Sequence, residues 1–96
     1  INISQKLSSL DISYVESPVM GGPVQAKEGV LGAIVGCEEK DFEFAKEILM
    51  NFCKDVFYFG SVGMGAKAKL VSNFLSLGTT TFVIESFKVA ETMYDF

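Results

Sequence analysis

The sequence has no histidine and no cluster of lysine and arginine residues. Without an imidazole, the chain supplies neither a histidine ligand for a metal nor the base of a serine, histidine and aspartate triad, so we expect no metal site. Eight basic and twelve acidic residues give a net charge of −4, which disfavours nucleic acid as a partner. The longest uncharged run is too short to cross a bilayer and no signal peptide is visible, so we expect no membrane partner.

Cysteine is also scarce, and its two copies do not form the pattern of a disulfide framework. Cys37 and Cys53 are widely spaced and lie in apolar surroundings. This favours reduced thiols and a cytoplasmic protein, while a single bridge between the two remains an alternative.

The length of the sequence and its first residue bear on completeness. The 96 residues, 49% of them hydrophobic, suffice for one small domain with a modest core. The sequence begins at Ile1, without methionine, in what reads as the middle of a helix. We therefore expect a fragment, or the ordered part of a larger protein.

The order of hydrophobic patterns predicts an α/β fold. The predicted strands cover 12–19, 30–36 and 56–59, and the predicted helices cover 1–10, 38–53 and about 65–96. The segment 25–29 is polar and short, and neither a helix nor a strand is assigned to it. Strands that alternate with helices are typical of a sheet with crossover helices. Six apolar residues of the predicted helix 38–53 are expected in the core: Phe42, Phe44, Ala45, Ile48, Leu49 and Phe52.

The last predicted helix is apolar on nearly every side, and no charged residue occurs between Leu70 and Ile84. A helix of this kind cannot stay exposed on a monomer, so we expect it to be covered by a missing domain, by another copy of the chain, or by both. Gly78 and the threonines at 79–81 lower helix propensity, which leaves a kink there as an alternative.

A glycine-rich turn at 60–65 leads into this helix and is followed by two candidate functional residues. At 100° per residue, Lys69 and Asn73 lie on one helix face, one turn apart. In a structural interpretation, Lys69 extends from a buried helix end to water and Asn73 makes an ordinary hydrogen bond. In a functional one, desolvation favours the neutral amine, so Lys69 would donate and accept a proton while Asn73 holds a substrate oxygen. The spacing does not choose between them.

The loop Met20-Gly21-Gly22-Pro23 is the second candidate site. Paired glycines let a backbone approach a ligand closely and present amide groups to a carboxylate or phosphate. The simpler interpretation, a turn between two segments, is the one that the residues of this loop alone favour.

Two stretches together resemble the β-hydroxyacid dehydrogenase family. The first is similar to the family's D-A-P-V-S-G-G loop and A-x-x-G-T-L strand start, and it consists of Glu16-Ser17-Pro18-Val19-Met20-Gly21-Gly22-Pro23, then Ala26, Gly29 and Leu31. The second is similar to the family's G-x-G-x-x-x-K-x-x-x-N signature, and it contains Gly63, Gly65, Lys69 and Asn73. Two motifs in the right order, with a strand, a helix and a strand between them, are more specific than either alone.

The resemblance implies both a fold and a chemistry. Residues 1–64 would be the C-terminal part of a Rossmann-like dinucleotide-binding domain, and residues 65–96 a long interdomain α-helix that begins an all-helical dimerisation domain. NAD or NADP would carry the hydride, and Lys69 would be the catalytic acid or base for a small 3-hydroxyacid or semialdehyde. The protein would form homo-oligomers through the long helix. The residues that would bind the substrate are Met20, Gly21, Gly22 and Asn73.

Three departures limit what the resemblance implies. Met20 replaces the family's usual serine, which puts the identity of the substrate in doubt. Ser72 replaces the histidine of the 6-phosphogluconate dehydrogenases, which argues against that branch. The G-x-G-x-x-G cofactor fingerprint is absent, so no cofactor-binding residue is assigned and we expect the 96 residues alone to be inactive. The alternative is a non-catalytic oligomerisation module of the same fold.

Overall fold

The computed structural model describes residues 2–94, with side chains from residue 3 onward. Its elements are α1 (Asn2–Ser9), β1 (Val19–Met20), α2 (Pro23–Glu28), β2 (Leu31–Gly36), α3 (Glu39–Leu49), β3 (Cys53–Gly60) and α4 (Met64–Met93). The strands form one sheet in the order β1, β2, β3, with β1 antiparallel to β2 and β2 parallel to β3. Because α3 connects the two parallel strands, the predicted crossover between strands is confirmed.

β1 is much shorter than the strand predicted over 12–19. Upstream of it, Glu16 and Gly36 exchange two backbone hydrogen bonds of 3.0 Å, and the carbonyl of Pro18 accepts one of 2.8 Å from Ile34 N–H. Proline has no N–H to return to Ile34, so the ladder with β2 is interrupted there. The prediction placed the extended segment correctly but was wrong about the extent of the regular strand.

α2 is a helix that the sequence prediction missed. Gly22 precedes it in an extended conformation and donates its N–H to Gln25 Oε1 at 2.8 Å. Pro23 takes the first helical position, where its missing N–H has no consequence, and Gly29 ends the helix at φ 71°, a left-handed conformation that favours glycine. These Pro and Gly positions were the available signal, because a helix of 6 residues is too short to show a hydrophobic period.

The core lies between β2 and α3. Leu31, Ala33, Val35 and Cys37 alternate along β2 and its end, are buried, and form one cluster with Cys53 of β3. Partly buried apolar residues that pack against this cluster are Val15, Phe42, Leu49 and Val56. β2 is buried nearly throughout, as its continuous apolar run predicted.

The core assignment for α3 is confirmed only in part. Ala45 is buried, but Phe44, Ile48 and Phe52 are 70%, 51% and 42% exposed. α3 covers the sheet with one stripe of its surface, so side chains off that stripe have nothing to pack against within residues 3–94. The assignment of these three residues to the core was therefore wrong.

α3 also ends earlier than predicted. The helix stops where the side-chain amide of Asn51 donates to the carbonyls of Ile48 (2.9 Å) and Glu47 (3.3 Å), which lack partners in a last helical turn. Cys53, which the prediction placed at the end of this helix, instead begins β3.

α4 is one continuous helix of 30 residues, about 45 Å long at 1.5 Å per residue. It is not interrupted at Gly78 or at the threonines 79–81. Its first turns pack on β2 and β3, and most apolar side chains beyond them are exposed, such as Phe74 (84%) and Phe82 (75%). Phe96, which the prediction included in this helix, lies outside the described residues. No helix within residues 2–94 has both the length and the hydropathy of a membrane span.

Both cysteines are free and buried, Cys37 at 0% and Cys53 at 2% exposure. Cys53 pairs with Leu31 at one end of β2, and Cys37 follows the other end of this strand of 6 residues. At about 3.3 Å per residue the two thiols are roughly 20 Å apart, whereas a disulfide requires Cα atoms within about 7 Å. The fold therefore excludes the bridge that the sequence left as an alternative.

We expect both thiols to be unreactive in the native protein. Burial raises the pKa of each, and the carboxylates of Asp41 and then Glu38 raise that of Cys37 further. Ellman's reagent at neutral pH should therefore modify them at least about tenfold more slowly than in urea, with peptide mass spectrometry identifying each site.

The raised pKa values also affect stability, because the folded state binds the thiol protons more tightly than the unfolded state does. The contribution of the two thiols to the free energy of unfolding is complete at neutral pH and falls above pH ~8.5, where the thiols of the unfolded chain ionise. Fast native labelling of either thiol would contradict their burial.

Candidate functional site

The two sequence motifs meet where the carboxylate of Glu16 caps α4. Its Oε1 accepts hydrogen bonds from the backbone N–H groups of Gly63 (2.7 Å), Gly65 (2.8 Å) and Ala66 (3.2 Å). Gly63, at the N-cap position, has no side chain that could satisfy these first amides. A carboxylate there also complements the positive end of the helix dipole. The start of α4 is therefore attached to the segment that leads into β1.

Two glycines make this attachment possible. A Cβ on Gly65 would lie 2.8 Å from the carbonyl oxygen of Ile34 and 3.0 Å from the amide nitrogen of Gly36. A Cβ on Gly36 would overlap the carboxylate of Glu16. Without these two Cβ atoms, α4 approaches β2 closely enough for the carboxylate to reach the first turn of the helix.

Lys69 lies one turn after Gly65 and reaches β1. Its Nζ donates a hydrogen bond of 2.8 Å to the backbone carbonyl oxygen of Val19. This oxygen is not used in the ladder with β2, because the backbone groups of alternate residues in an antiparallel strand face outward. The Lys69 side chain is half-buried. Its ammonium is thus held beside residues 20–23, which we call the glycine loop.

Asn73 lies on the same helix face as Lys69, one turn further along α4, as its spacing predicted. Its side chain is exposed, and its amide makes no hydrogen bond with residues 3–94. Nothing within that part of the chain competes with a ligand for this amide.

The structure places the three predicted residues of the glycine loop next to this contact. The Cε of Met20 lies over Gly32, where an added Cβ would be 3.2 Å away. Gly21 has φ 121°, a conformation that favours glycine. The N–H of Gly22 already donates to Gln25, so this exposed side chain must move before Gly22 can bind a ligand carboxylate.

The glycine-rich turn before α4 does not form a phosphate site. Helix N-termini bind phosphate through their free amides, but here the amides of Gly63 and Gly65 are bonded to Glu16. The start of α4 therefore does not fit the pyrophosphate of a dinucleotide. Within the same residues, no group of three potential metal ligands is present.

Glu16 is the residue that reasoning from the sequence missed. It was part of the first motif, but no role was assigned to it. Its contact with Gly63 spans 47 positions of the chain, which local spacing does not reveal. The available signal was the helix start itself, where glycines leave the first amides without a side-chain acceptor.

Comparison with known proteins relates this geometry to a family. Residues 1–60 match the family described as the NAD binding domain of 6-phosphogluconate dehydrogenase. An uncharacterized oxidoreductase of Mycobacterium tuberculosis is 29% identical over 91 residues, which cover 95% of this chain and 31% of that protein. Mitochondrial 3-hydroxyisobutyrate dehydrogenase of Rattus norvegicus is 33% identical over 73 residues, which cover 76% of this chain and 22% of that enzyme.

A solved structure supports the fold assignment. The crystal structure of a protein named as an oxidoreductase from Mycobacterium avium matches with a TM-score of 0.88 at 30% identity, covering 94% of this chain and 32% of that chain. The predicted fold class, the C-terminal part of a Rossmann-like domain followed by a long helix, is thereby confirmed. The chain spans about a third or less of the length of these relatives.

We expect Gly65→Ala to lower the free energy of unfolding by about 1–3 kcal/mol, because the added methyl would collide with backbone atoms of β2. Urea denaturation measures this loss. Gly78→Ala is the matched control, since no atom lies within 4 Å of its added Cβ. In an exposed helix this change should stabilise by up to about 1 kcal/mol. Equal effects of the two substitutions would contradict the close approach of α4 to the sheet.

Proposed function

This chain belongs to the family of the NAD binding domain of 6-phosphogluconate dehydrogenase, and from that premise we propose that the protein containing it is an NAD(P)-dependent 3-hydroxyacid dehydrogenase or semialdehyde reductase. The curated relatives are named as oxidoreductases and 3-hydroxyisobutyrate dehydrogenases, which supports this reaction class. One observation carries the assignment of Lys69 as general acid and base. Its Nζ lies 2.8 Å from the carbonyl oxygen of Val19, so the ammonium is fixed at the glycine loop.

During reduction of a carbonyl, Lys69 acts in its ammonium form. One of its three N–H donors is bonded to Val19, so two remain for a substrate oxygen. As negative charge develops on that oxygen, Lys69 gives up one proton, a hydroxyl forms, and the neutral amine remains. In the oxidation direction the neutral amine takes the hydroxyl proton. The nicotinamide cofactor supplies the hydride chemistry.

Asn73 and the glycine loop complete the proposed substrate site. The Asn73 amide, one turn from Lys69, has a donor for a second hydrogen bond to the substrate oxygen. Gly21 and Gly22 present backbone N–H groups to the substrate carboxylate once Gln25 has moved away.

Met20 is proposed to set the polarity of the pocket. Its flexible, apolar side chain packs over Gly32, next to the loop that would hold the substrate carboxylate. The family's usual serine would offer a hydroxyl at this position. The site is therefore proposed to favour substrates whose substituent near Met20 is apolar.

We further propose that residues 1–64 belong to a dinucleotide-binding domain and residues 65–96 form the helix that leads into a second domain. The exposed apolar side chains of α4 support this division, because an apolar surface of that size needs a cover. A helical domain, a second copy of the protein, or both would provide it. The same surface favours the second candidate function, an assembly module without catalytic activity.

Substitution of Lys69 by alanine distinguishes the two candidates. We expect kcat of the whole protein, with NADH or NADPH and short semialdehydes, to fall about 10²- to 10⁴-fold, which is the contribution of a general acid. The KM for the dinucleotide should change less than about threefold, because Lys69 makes no proposed contact with it. Steady-state kinetics checks both expectations.

Lys67→Ala is the matched control, because Lys67 is exposed and lies on a different face of α4. It should retain the activity of the unaltered protein. If Lys69→Ala retains it as well, the hydrogen bond to Val19 has only a structural role. If the unaltered protein has no turnover while Lys69→Ala changes its association, the assembly module is favoured.

Met20→Ser should change substrate preference without changing cofactor affinity. We expect the ratio of kcat/KM between substrates with polar and apolar substituents to shift about tenfold towards the polar ones, since a hydroxyl replaces an apolar contact. A panel of short hydroxyacids and semialdehydes measures this ratio. Met50→Ser, at the exposed end of α3, is the control and should leave it unchanged. An unchanged ratio for Met20→Ser would place Met20 outside the substrate pocket.

A further inference from the structure

Glu16 is a half-buried carboxylate that the proposed mechanism does not use. We propose that Glu16 is a positioning residue for Lys69: its carboxylate sets the position of α4 against β1, and thereby where the Lys69 ammonium lies. This inference rests on the proposed function of Lys69. It goes beyond that function because it assigns control of the reactive group to a residue that is neither part of the proposed substrate site nor on the same element.

The carboxylate of Glu16 has a fixed place relative to the sheet. The backbone of Glu16 makes two hydrogen bonds of 3.0 Å with Gly36, one in each direction. Its side chain lies in the space that Gly36 leaves by having no Cβ. The position of Oε1 therefore follows from the backbone of β2.

The start of α4 is in turn fixed by that oxygen. Oε1 accepts hydrogen bonds from the backbone N–H groups of Gly63, Gly65 and Ala66 at 2.7, 2.8 and 3.2 Å. One oxygen atom therefore orders the N-cap and the first turn of the helix. Hydrogen bonds with an ionised acceptor are shorter and stronger than neutral ones. Because the cap residue Gly63 has no side chain, no local group replaces this acceptor.

Lys69 makes the second polar contact between α4 and the segment that contains Glu16 and β1. Gly65 and Lys69 are four residues apart on one helix face, which is about 6 Å along the axis. Glu16 and Val19 are three residues apart on the extended segment, which is about 10 Å. The lysine side chain covers the remaining distance to the Val19 oxygen. If the helix start shifts, the ammonium shifts with it.

A shift of this kind affects catalysis more than substrate binding. A misplacement of about 1 Å can lower the rate of an oriented reaction about 10²-fold. The pairing of Val19 and Met20 with β2 does not involve Glu16, so the start of the glycine loop should stay in place when Glu16 is changed. We therefore expect substitution of Glu16 to lower kcat and to leave the KM for the substrate nearly unchanged.

The test uses the whole protein with Glu16→Ala and Glu16→Asp. Glu16→Ala is expected to lower kcat at least about tenfold and to change the substrate KM less than about threefold. Glu16→Asp keeps the carboxylate, loses one methylene, and should recover the larger part of kcat. If Glu16→Ala does not fold, Glu16→Gln takes its place, because it keeps the shape but not the charge.

Two controls separate positioning from general destabilisation. Leu49→Ala removes a side chain that packs on the opposite face of the sheet, so it should lower the Tm without lowering kcat. In the double variant with Lys69→Ala, the Glu16 substitution should lower kcat by much less than it does in the unaltered protein, because Glu16 acts mainly through Lys69 and only the displacement of Asn73 on the same helix remains. An additive loss, or an equal loss of kcat in Leu49→Ala, would overturn the proposal.

The outcomes also separate this proposal from the proposed function. If Lys69→Ala retains full activity, the role of Lys69 is wrong and the role of Glu16 falls with it. If Lys69→Ala is inactive while Glu16→Ala keeps kcat within about twofold, only the role of Glu16 is overturned.

Discussion

The hydrogen bonds between the Glu16 carboxylate and the start of α4 are the contact on which the rest of the site depends. They join two stretches that lie 47 to 50 positions apart in the chain. Without this contact, α4 would keep its packing on the sheet and the hydrogen bond from Lys69 to Val19, but the first turn of this 30-residue helix would lose its acceptor. A short charge-assisted contact thus positions both a long element and Lys69 near its start.

β2 serves two purposes because its two faces differ. Leu31, Ala33 and Val35 bury their side chains against α3 and hold the sheet together. On the other face, Gly32 and Gly36 leave room for the side chains of the glycine loop and of Glu16. Because side chains of a strand point to opposite faces in turn, one face of β2 belongs to the core with α3, and the other combines the buried Ile34 with two glycines beside the proposed site. A larger residue at either glycine would affect the site before it affected the core.

The features predicted correctly from the sequence depend on local or periodic signals. The continuous apolar run of β2, the crossover through α3 and the shared face of Lys69 and Asn73 all follow from spacing along the chain. Apart from the missed helix α2 and the early end of α3, whose causes are local, what failed depends on contacts between distant segments. The exposure of Phe44 reflects how little surface packs on α3, and the capping by Glu16 reflects a fold that brings a carboxylate to a helix whose own cap lacks a side chain. The spacing of residues along the chain predicted neither the exposure of Phe44 nor the capping by Glu16.

The same capping contact limits the part of the reaction that this chain supplies. A glycine-rich turn before a helix normally offers its amides to a phosphate, but here an internal carboxylate takes Gly63 and Gly65. A second anion at this position would be repelled by Glu16, so the phosphates of a dinucleotide require amides elsewhere in the protein. The proposed partner of Lys69 on the same helix is instead an uncharged carbonyl or hydroxyl at the glycine loop. On this reasoning, the proposed role of the chain is to supply the proton-transfer group of a dehydrogenase site, and the start of α4 is not where the cofactor's phosphates would bind.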